Sequence, residues 1–310
     1  PKTDKIALLS KVLDVPYDNM VSLKLDKNLA PLGEILQSKI LKEIPLDLFG
    51  IQESHLIDII SNAPLKVNAF ISTLIEIAQN YNLSRESFFL AALRSYQEAH
   101  NNYFEDIEQS VAQFSKAYQI NLEAKIKSID LEEILIEEFD YNIVSNGLSD
   151  YPKLNELRCV FIPKSKTLLL RDDMDESQKT FIYAKEIAYN YLNLTERLYT
   201  FPWIKFDTFD HVLNNFLASY FAGALIIPKK SIESQLKTFF SLKKWNAALF
   251  NKMILQFTDS PETYYQRLTN ILPKVFNFKN LFFLRFTNRE GENRFKLSKE
   301  LHITQQQPPT

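Results

Sequence analysis

The chain has 310 residues, of which 45% are hydrophobic and 24% are charged, and its formal net charge is -2. This is the composition of an ordinary globular protein, and the near-neutral charge excludes binding to nucleic acid or an anionic membrane through net charge alone. The single cysteine, Cys159, excludes an internal disulfide and a zinc ribbon.

Residues that hold phosphate or metal in many enzymes are scarce. The five glycines form neither a dinucleotide-binding fingerprint nor a P-loop, and no two of the four histidines lie at the spacing of metal ligands. No apolar run is long enough for a transmembrane helix. With one cysteine and no secretion signal, we expect a cytoplasmic protein. The chain begins at Pro1, from which we expect a fragment or a processed product.

Hydrophobic periodicity predicts helices in the first third of the chain. Residues 5–15, 54–62 and 64–81 carry apolar side chains at helical spacing. A further helix is predicted over residues 85–118. Because so long a helix is unusual in a globular domain, we expect it to break near Asn101-Asn102 or to pair with a partner helix.

After a polar segment at residues 119–127 the pattern changes to short strands mixed with helices. A hairpin is predicted over residues 281–287 and 294–297. The predicted strands are residues 141–144, 158–162 and 167–171, and the predicted helices are residues 131–139, 174–194, 208–227, 231–240, 244–257 and 261–272.

These elements predict a predominantly helical α+β protein. We expect a helical domain over residues 1–125, a second domain with a small sheet over residues 126–300, and a frayed tail over residues 301–310.

Two successive helices, 174–194 and 208–228, carry the most specific pattern. Three short strands precede them, and this order resembles the zincin-like domain of the ImmA/IrrE metallopeptidases. The first helix of that family reads A-H-E-L-G-H, in which two histidines bind the metal and the glutamate polarises its water. The matching stretch here is Ala184-Lys185-Glu186-Ile187-Ala188-Tyr189. The glutamate is kept, and Lys185 and Tyr189 replace both histidines.

The third metal ligand of the family is a glutamate on the second helix, within E-x-x-A-N-x-F-A-x-x-L-L-M-P. Asn215 stands at that position here, and the helix ends in Leu225-Ile226-Ile227-Pro228. Catalytic zinc needs three N, O⁻ or S ligands, and a lysine ammonium repels a dication. The resemblance therefore implies a lapsed peptidase with neither metal nor activity. Glu186 is expected to pair with a lysine or an arginine.

A narrower resemblance is to the short-chain fatty-acyl transcriptional regulators of the RamB/PrpR type. It is carried by residues 88–97 and 101–104, by residues 209–216 and 218–225, and by Ser260-Pro261-Glu262 with Arg267-Leu268. The most specific stretch is Ala-Ser-Tyr-Phe-Ala-Gly-Ala at residues 218–224. The resemblance covers roughly residues 50–290.

That resemblance implies the ligand-sensing part of a bacterial one-component regulator. Residues 1–125 would then supply linker and dimerisation helices, and residues 126–300 would form a degenerate metallopeptidase-like sensor domain. Such proteins join a DNA-binding helix-turn-helix of the XRE type to a sensor for short-chain acyl-CoA, and we expect a homodimer without membrane contact. Residues 1–15 resemble only the last helix of the helix-turn-helix, so the DNA-reading part is expected to be missing from this chain. Acyl-CoA is the candidate effector, and no cofactor is expected.

Candidate ligand-binding residues divide into three groups, each with an ordinary structural alternative. Lys185, Glu186, Tyr189 and Asn215 either line a ligand pocket or fill a vacated cavity with internal hydrogen bonds. Tyr220 either walls an acyl tunnel or belongs to the core. The basic residues either hold the phosphates of coenzyme A or form a solvated surface; they are Arg171, Lys164 and Lys166.

Acyl-CoA is expected to enter between the 174–194 and 208–228 helices and to shift the spacing of two DNA-reading heads. Two other functions stay open, an active metallopeptidase of the ImmA/IrrE type and a protein-interaction module without ligand.

Overall fold

The computed structural model describes residues 85–304 except Asn155, residues 202–207, Lys279, residues 289–290 and Glu292. The chain divides into two compact units, Pro1–Ala92 and Leu93–Thr310. The boundary predicted between residues 125 and 126 falls inside the second unit and stays a prediction. The helices predicted before residue 85, the resemblance of residues 1–15 and the low-complexity end at 305–310 lie outside the described residues.

The long helix predicted over residues 85–118 is two helices. Helix α1 spans Arg85–Ala99 and helix α2 spans Glu105–Ala117. Asn101 and Asn102 lie between them with φ of 52° and 51°. Two successive left-handed residues cannot continue a right-handed helix, and asparagine tolerates this conformation better than most residues. The expected break near Asn101-Asn102 is confirmed.

A four-stranded sheet follows helix α3, Ser128–Phe139. The strand order is β1-β3-β2-β4, in which β1 is parallel to β3 and the other pairs are antiparallel. Three of these strands match the predicted ones, while the two-residue β4 was not predicted. The strands are β1 Asn142–Val144, β2 Cys159–Ile162, β3 Thr167–Leu170 and β4 Thr200–Phe201.

The centre of the core is helix α4, Glu176–Tyr191, in which every residue from Ile182 to Tyr189 is buried. It packs against α3 on one side and against α5, Phe209–Ile226, on another. The side chains of Asp175 and Thr208 cap the two helices, each accepting a hydrogen bond from a first-turn backbone N–H. Because α4 and α5 pack against each other, polar residues on the faces that meet need hydrogen-bond partners inside the protein.

The remaining helices are α6 Lys229–Phe240, α7 Ala247–Leu255 and α8 Pro261–Phe276. Helix α8 starts as predicted, with Ser260 accepting from Thr263 N and Pro261 in the first turn. The predicted hairpin is formed by strands β5 Asn280–Thr287 and β6 Lys296–Thr304. Strand β6 is longer than the predicted residues 294–297, and residues 301–304, which were expected in a frayed tail, are paired with β5.

The predicted fold class, predominantly helical α+β, is confirmed by these elements. Among the described residues, no helix is both long and apolar enough to cross a membrane.

Candidate functional site

The packing of α4 on α5 brings three of the predicted site residues together. Lys185 and Tyr189 lie one turn apart on α4 and face Asn215 on α5. Lys185 Nζ donates to Asn215 Oδ1 at 2.6 Å, and Tyr189 OH lies 3.4 Å from the same oxygen. The three positions at which the resemblance to ImmA/IrrE requires metal ligands therefore converge on one atom.

Lys185 is a buried cation. The residue is only 5% exposed. Burial disfavours the charged form and lowers the pKa of the Lys185 ammonium to about 8. The nearby charge of Arg197 acts in the same direction, while Cys159 and Glu186 act against it. Burial likewise raises the pKa of the Cys159 thiol to about 12. That thiol is therefore not a reactive nucleophile near neutral pH.

The Glu186 side chain makes different contacts from those of Lys185 and Tyr189. Its carboxylate forms an ion pair with Arg197, whose Nη2 lies 2.7 Å from Oε1 and 2.5 Å from Oε2. The two side chains are 7% and 8% exposed. Tyr141 OH donates to Glu186 Oε2 at 2.9 Å. The expectation that Glu186 pairs with a basic residue is confirmed.

Arg197 is held between two aromatic rings. Its guanidinium carbon lies 4.0 Å from the ring centre of Tyr189 and 4.4 Å from that of Phe161. Burial alone would lower the pKa of Arg197, but the charge of Glu186 and their hydrogen bonds raise it above its ordinary value. Tyr141 completes the cluster, because its hydroxyl also accepts from Asn190 Nδ2 at 2.9 Å. Burial and the charge of Glu186 raise the pKa of that hydroxyl.

Little space is left between these side chains. A cavity of about 10 Å³ remains beside Lys185 and Glu186, which is room for about one water molecule. The lining residues are Cys159, Ile182, Lys185, Glu186, Tyr189, Leu198, Tyr199 and Thr200.

The donor set does not fit the zinc ion of the ImmA/IrrE family. An ammonium has no lone pair to offer, a neutral amide and a phenol are weak ligands, and the Glu186 carboxylate is already occupied by Arg197. Across the described ranges, no three His, Cys, Asp or Glu side chains are grouped so that they could hold a metal.

Tyr220, also on α5, belongs to a second polar cluster. Its hydroxyl donates to Glu108 Oε1 at 2.8 Å and accepts from Phe104 N at 3.2 Å. Glu108 is held by both terminal nitrogens of Arg267, at 2.6 and 2.9 Å. Arg267 is fully buried and donates through Nε to Ile227 O. This cluster ties α2 to α5 and α8.

The predicted phosphate-binding residues are not among those that line the cavity. Lys166 Nζ pairs with Asp140 at 3.0 Å and donates to Phe139 O. Arg171 pairs with Asp173. Lys164 is exposed in the turn between β2 and β3. The role of these three in holding phosphate stays a prediction.

Sequence reasoning missed Arg197, Tyr141 and Asn190. Arg197 follows α4 in a short irregular segment, where no periodicity marks a residue as buried. The available signal was Glu186 itself, since a carboxylate within the largely apolar stretch 182–189 would need a partner if that stretch were buried.

No protein-family model matches the sequence, and no curated protein matches it. Among solved structures, a chain named as a Mycobacterium tuberculosis transcriptional regulator aligns with 17% sequence identity and a TM-score of 0.47. The alignment covers 68% of this chain and 59% of that chain, so this chain spans less than two thirds of its distant structural neighbour.

Proposed function

We propose that this chain is a non-catalytic regulatory part of a cytoplasmic, DNA-binding transcription regulator. The observation that carries the proposal is the 2.6 Å contact between Lys185 Nζ and Asn215 Oδ1. An ammonium and an amide stand at positions where the resemblance to ImmA/IrrE requires metal donors, and they satisfy each other. The resemblance to short-chain fatty-acyl regulators supplies the functional class.

The state of Glu186 supports the absence of hydrolysis. A metallopeptidase glutamate acts on a metal-bound water, whose pKa the metal lowers to about 7. Here the carboxylate is bonded to Arg197 and Tyr141, so both of its oxygens are engaged. A general base must reach the proton that it removes, and Glu186 would have to leave a buried ion pair to do so.

For the effector we propose a short-chain acyl-CoA, on the strength of the resemblance. A cavity of about 10 Å³ cannot hold an acyl chain. Binding would therefore require the Lys185–Asn215 contact to break as α4 and α5 separate. A ligand that binds only the open arrangement shifts the population toward it.

The geometry offers a route from that opening to α2. Asn215 and Tyr220 lie on the same helix, α5, and Tyr220 bonds to Glu108 and to Phe104 N. A shift of α5 would strain these contacts and favour another position of α2. In a homodimer, such a shift would change the spacing of two DNA-reading heads.

Titration calorimetry with acetyl-, propionyl- and butyryl-CoA tests the effector. We expect saturable heat and a raised Tm with at least one of them, and neither with free coenzyme A at the same concentration. Heat and thermal shift absent for all three would overturn the effector proposal while leaving the non-catalytic role standing.

A ligand-free protein-interaction module is the second candidate, and the filled cavity favours it. It predicts no response to any acyl-CoA. The active metallopeptidase is tested separately: stoichiometric zinc in the purified chain, or peptide cleavage abolished by Glu186→Gln, would overturn the non-catalytic role.

A further inference from the structure

Helix α3 presents an exposed face that is both apolar and acidic. Ile129 and Ile136 are 51% and 46% exposed, and Glu133 and Glu137 lie beside them at helical spacing. Helix α3 contains five acidic residues and no lysine or arginine. We call Ile129, Glu133, Ile136 and Glu137 the acidic helix face. Neither glutamate has an ion-pair partner within the described part of the chain.

A second surface, at the end of α6 and in the loop before α7, has the opposite charge. Residues 234–258 contain four lysines and no acidic residue. Trp245 is 68% exposed, Phe240 47% and Leu242 40%, and Lys243 and Lys244 between them are exposed. We call these five residues the basic aromatic patch. Among the residues that the structure describes, neither lysine has an ion-pair partner.

The indole of the patch is held in place although it is exposed. Its ring centre lies 4.9 Å from that of Phe239 and 5.0 Å from that of Phe250. A ring that is already fixed loses little conformational freedom on binding, which is the property of an interface anchor. At roughly 150–250 Å² for an aromatic side chain, the two surfaces together expose roughly 500 Å² of apolar side chain per molecule.

We propose that a second copy of this chain covers both surfaces, with the acidic helix face of each molecule docked on the basic aromatic patch of the other. We choose a second copy as the partner because the same chain presents both an acidic and a basic surface, and these are complementary in charge. Two such contacts related by a two-fold axis close the assembly. With its flanking charges, the buried area would approach the roughly 800 Å² per partner of a standard interface.

Two contacts join segments that flank the two surfaces within one molecule. Lys125 Nζ pairs with Asp259 at 2.5 Å, which joins the segment before α3 to the segment after α7. Ser177 Oγ accepts from Asp259 N at the same junction. Both surfaces therefore belong to one packed unit of the chain, Leu93–Thr310.

Charge reversal tests the proposal on the 310-residue chain by sedimentation velocity. At about 100 µM, which would occupy a contact of micromolar Kd, we expect the unmodified chain to be a dimer that weakens as salt is raised. The double variants Lys243→Glu/Lys244→Glu and Glu133→Lys/Glu137→Lys should each be monomers. Their equimolar mixture should form a one-to-one heterodimer, because one contact is then native and the other has both charges reversed.

The matched control is Lys116→Glu/Lys153→Glu, at two exposed lysines outside both surfaces, which should leave the dimer intact. Far-UV circular dichroism melts establish that each variant is folded. An unmodified chain that is monomeric at this concentration, reversals that leave the dimer unchanged, open-ended growth, or a mixture that stays monomeric would each overturn the proposal. Molecular mass is read without acyl-CoA or zinc, so this outcome is separate from the fate of the proposed function.

Discussion

Removing the guanidinium of Arg197 should unfold the core around α4 at lower temperature. Both members of the Arg197–Glu186 pair are less than a tenth exposed, and loss of one partner from a buried pair costs about 3–5 kcal/mol because the other charge is left without compensation. Arg197→Met keeps a long apolar side chain between the rings of Tyr189 and Phe161, so most of the loss should come from the stranded Glu186 carboxylate.

The size of the effect can be stated as a melting temperature. The unit Leu93–Thr310 is in the size range in which 1 kcal/mol shifts Tm by about 2–4 °C. Arg197→Met should therefore lower Tm by roughly 6–20 °C. Urea unfolding followed by circular dichroism gives the corresponding free energy of unfolding.

A double-mutant cycle separates the charge effect from the loss of packing. Glu186→Gln/Arg197→Met removes both charges and keeps an oxygen that can accept from Tyr141. With Glu186→Gln as the second single variant, we expect the two single losses in unfolding free energy to exceed, in sum, the loss in the double variant by about 2 kcal/mol, within the range of coupling between contacting residues. A cost below about 1 kcal/mol for Arg197→Met, together with zero coupling, would refute the buried pair.

Three further predictions concern the same unit. The pKa of Lys185 is lowered to about 8, so between about pH 8 and pH 10.5 the folded protein binds fewer protons at this residue than the unfolded protein does. In urea titrations the unfolding free energy should therefore rise across this window by about 1–3 kcal/mol relative to Lys185→Met. A difference between the two proteins that does not change with pH would contradict the buried ammonium. Arg267→Met should lower the unfolding free energy by about 3–5 kcal/mol and speed hydrogen exchange in α2, because Glu108 loses its partner. Unchanged exchange would show that other contacts hold α2 in place. Gly147→Ala should cost about 1 kcal/mol through overpacking, because a Cβ there would lie 2.7 Å from its nearest side-chain atom, whereas Gly223→Ala meets nothing within 4 Å and should be neutral or stabilising in thermal melts.

Local signals in the sequence were sufficient for most of the fold. The break at Asn101-Asn102 could be anticipated because two residues that tolerate positive φ interrupt a helix that is too long. The start of α8 was visible as Ser260 followed by Pro261. Strand β4 could not be found, since a two-residue strand has no periodicity and exists only through its pairing with β2.

The candidate site was likewise predictable from the sequence only in part. Lys185, Tyr189 and Asn215 could be grouped because helical spacing and a family resemblance both placed them on facing helices. Arg197 and Tyr141 could not, because each reaches Glu186 from outside α4, 11 and 45 residues away along the chain. The pairing of Glu108 with Arg267, 159 residues away, is likewise set by tertiary packing alone.

Zinc binding to a variant with restored ligands tests the central claim most directly. Lys185 Nζ and Tyr189 OH both lie within 3.4 Å of Asn215 Oδ1. In Lys185→His/Tyr189→His/Asn215→Glu, three metal donors of the family type would replace these three converging side chains. Titration with a competing zinc chelator should detect one zinc per chain in this variant and none in the unmodified protein. Zinc bound stoichiometrically by the unmodified protein, or a triple variant that is folded and still binds none, would contradict the account.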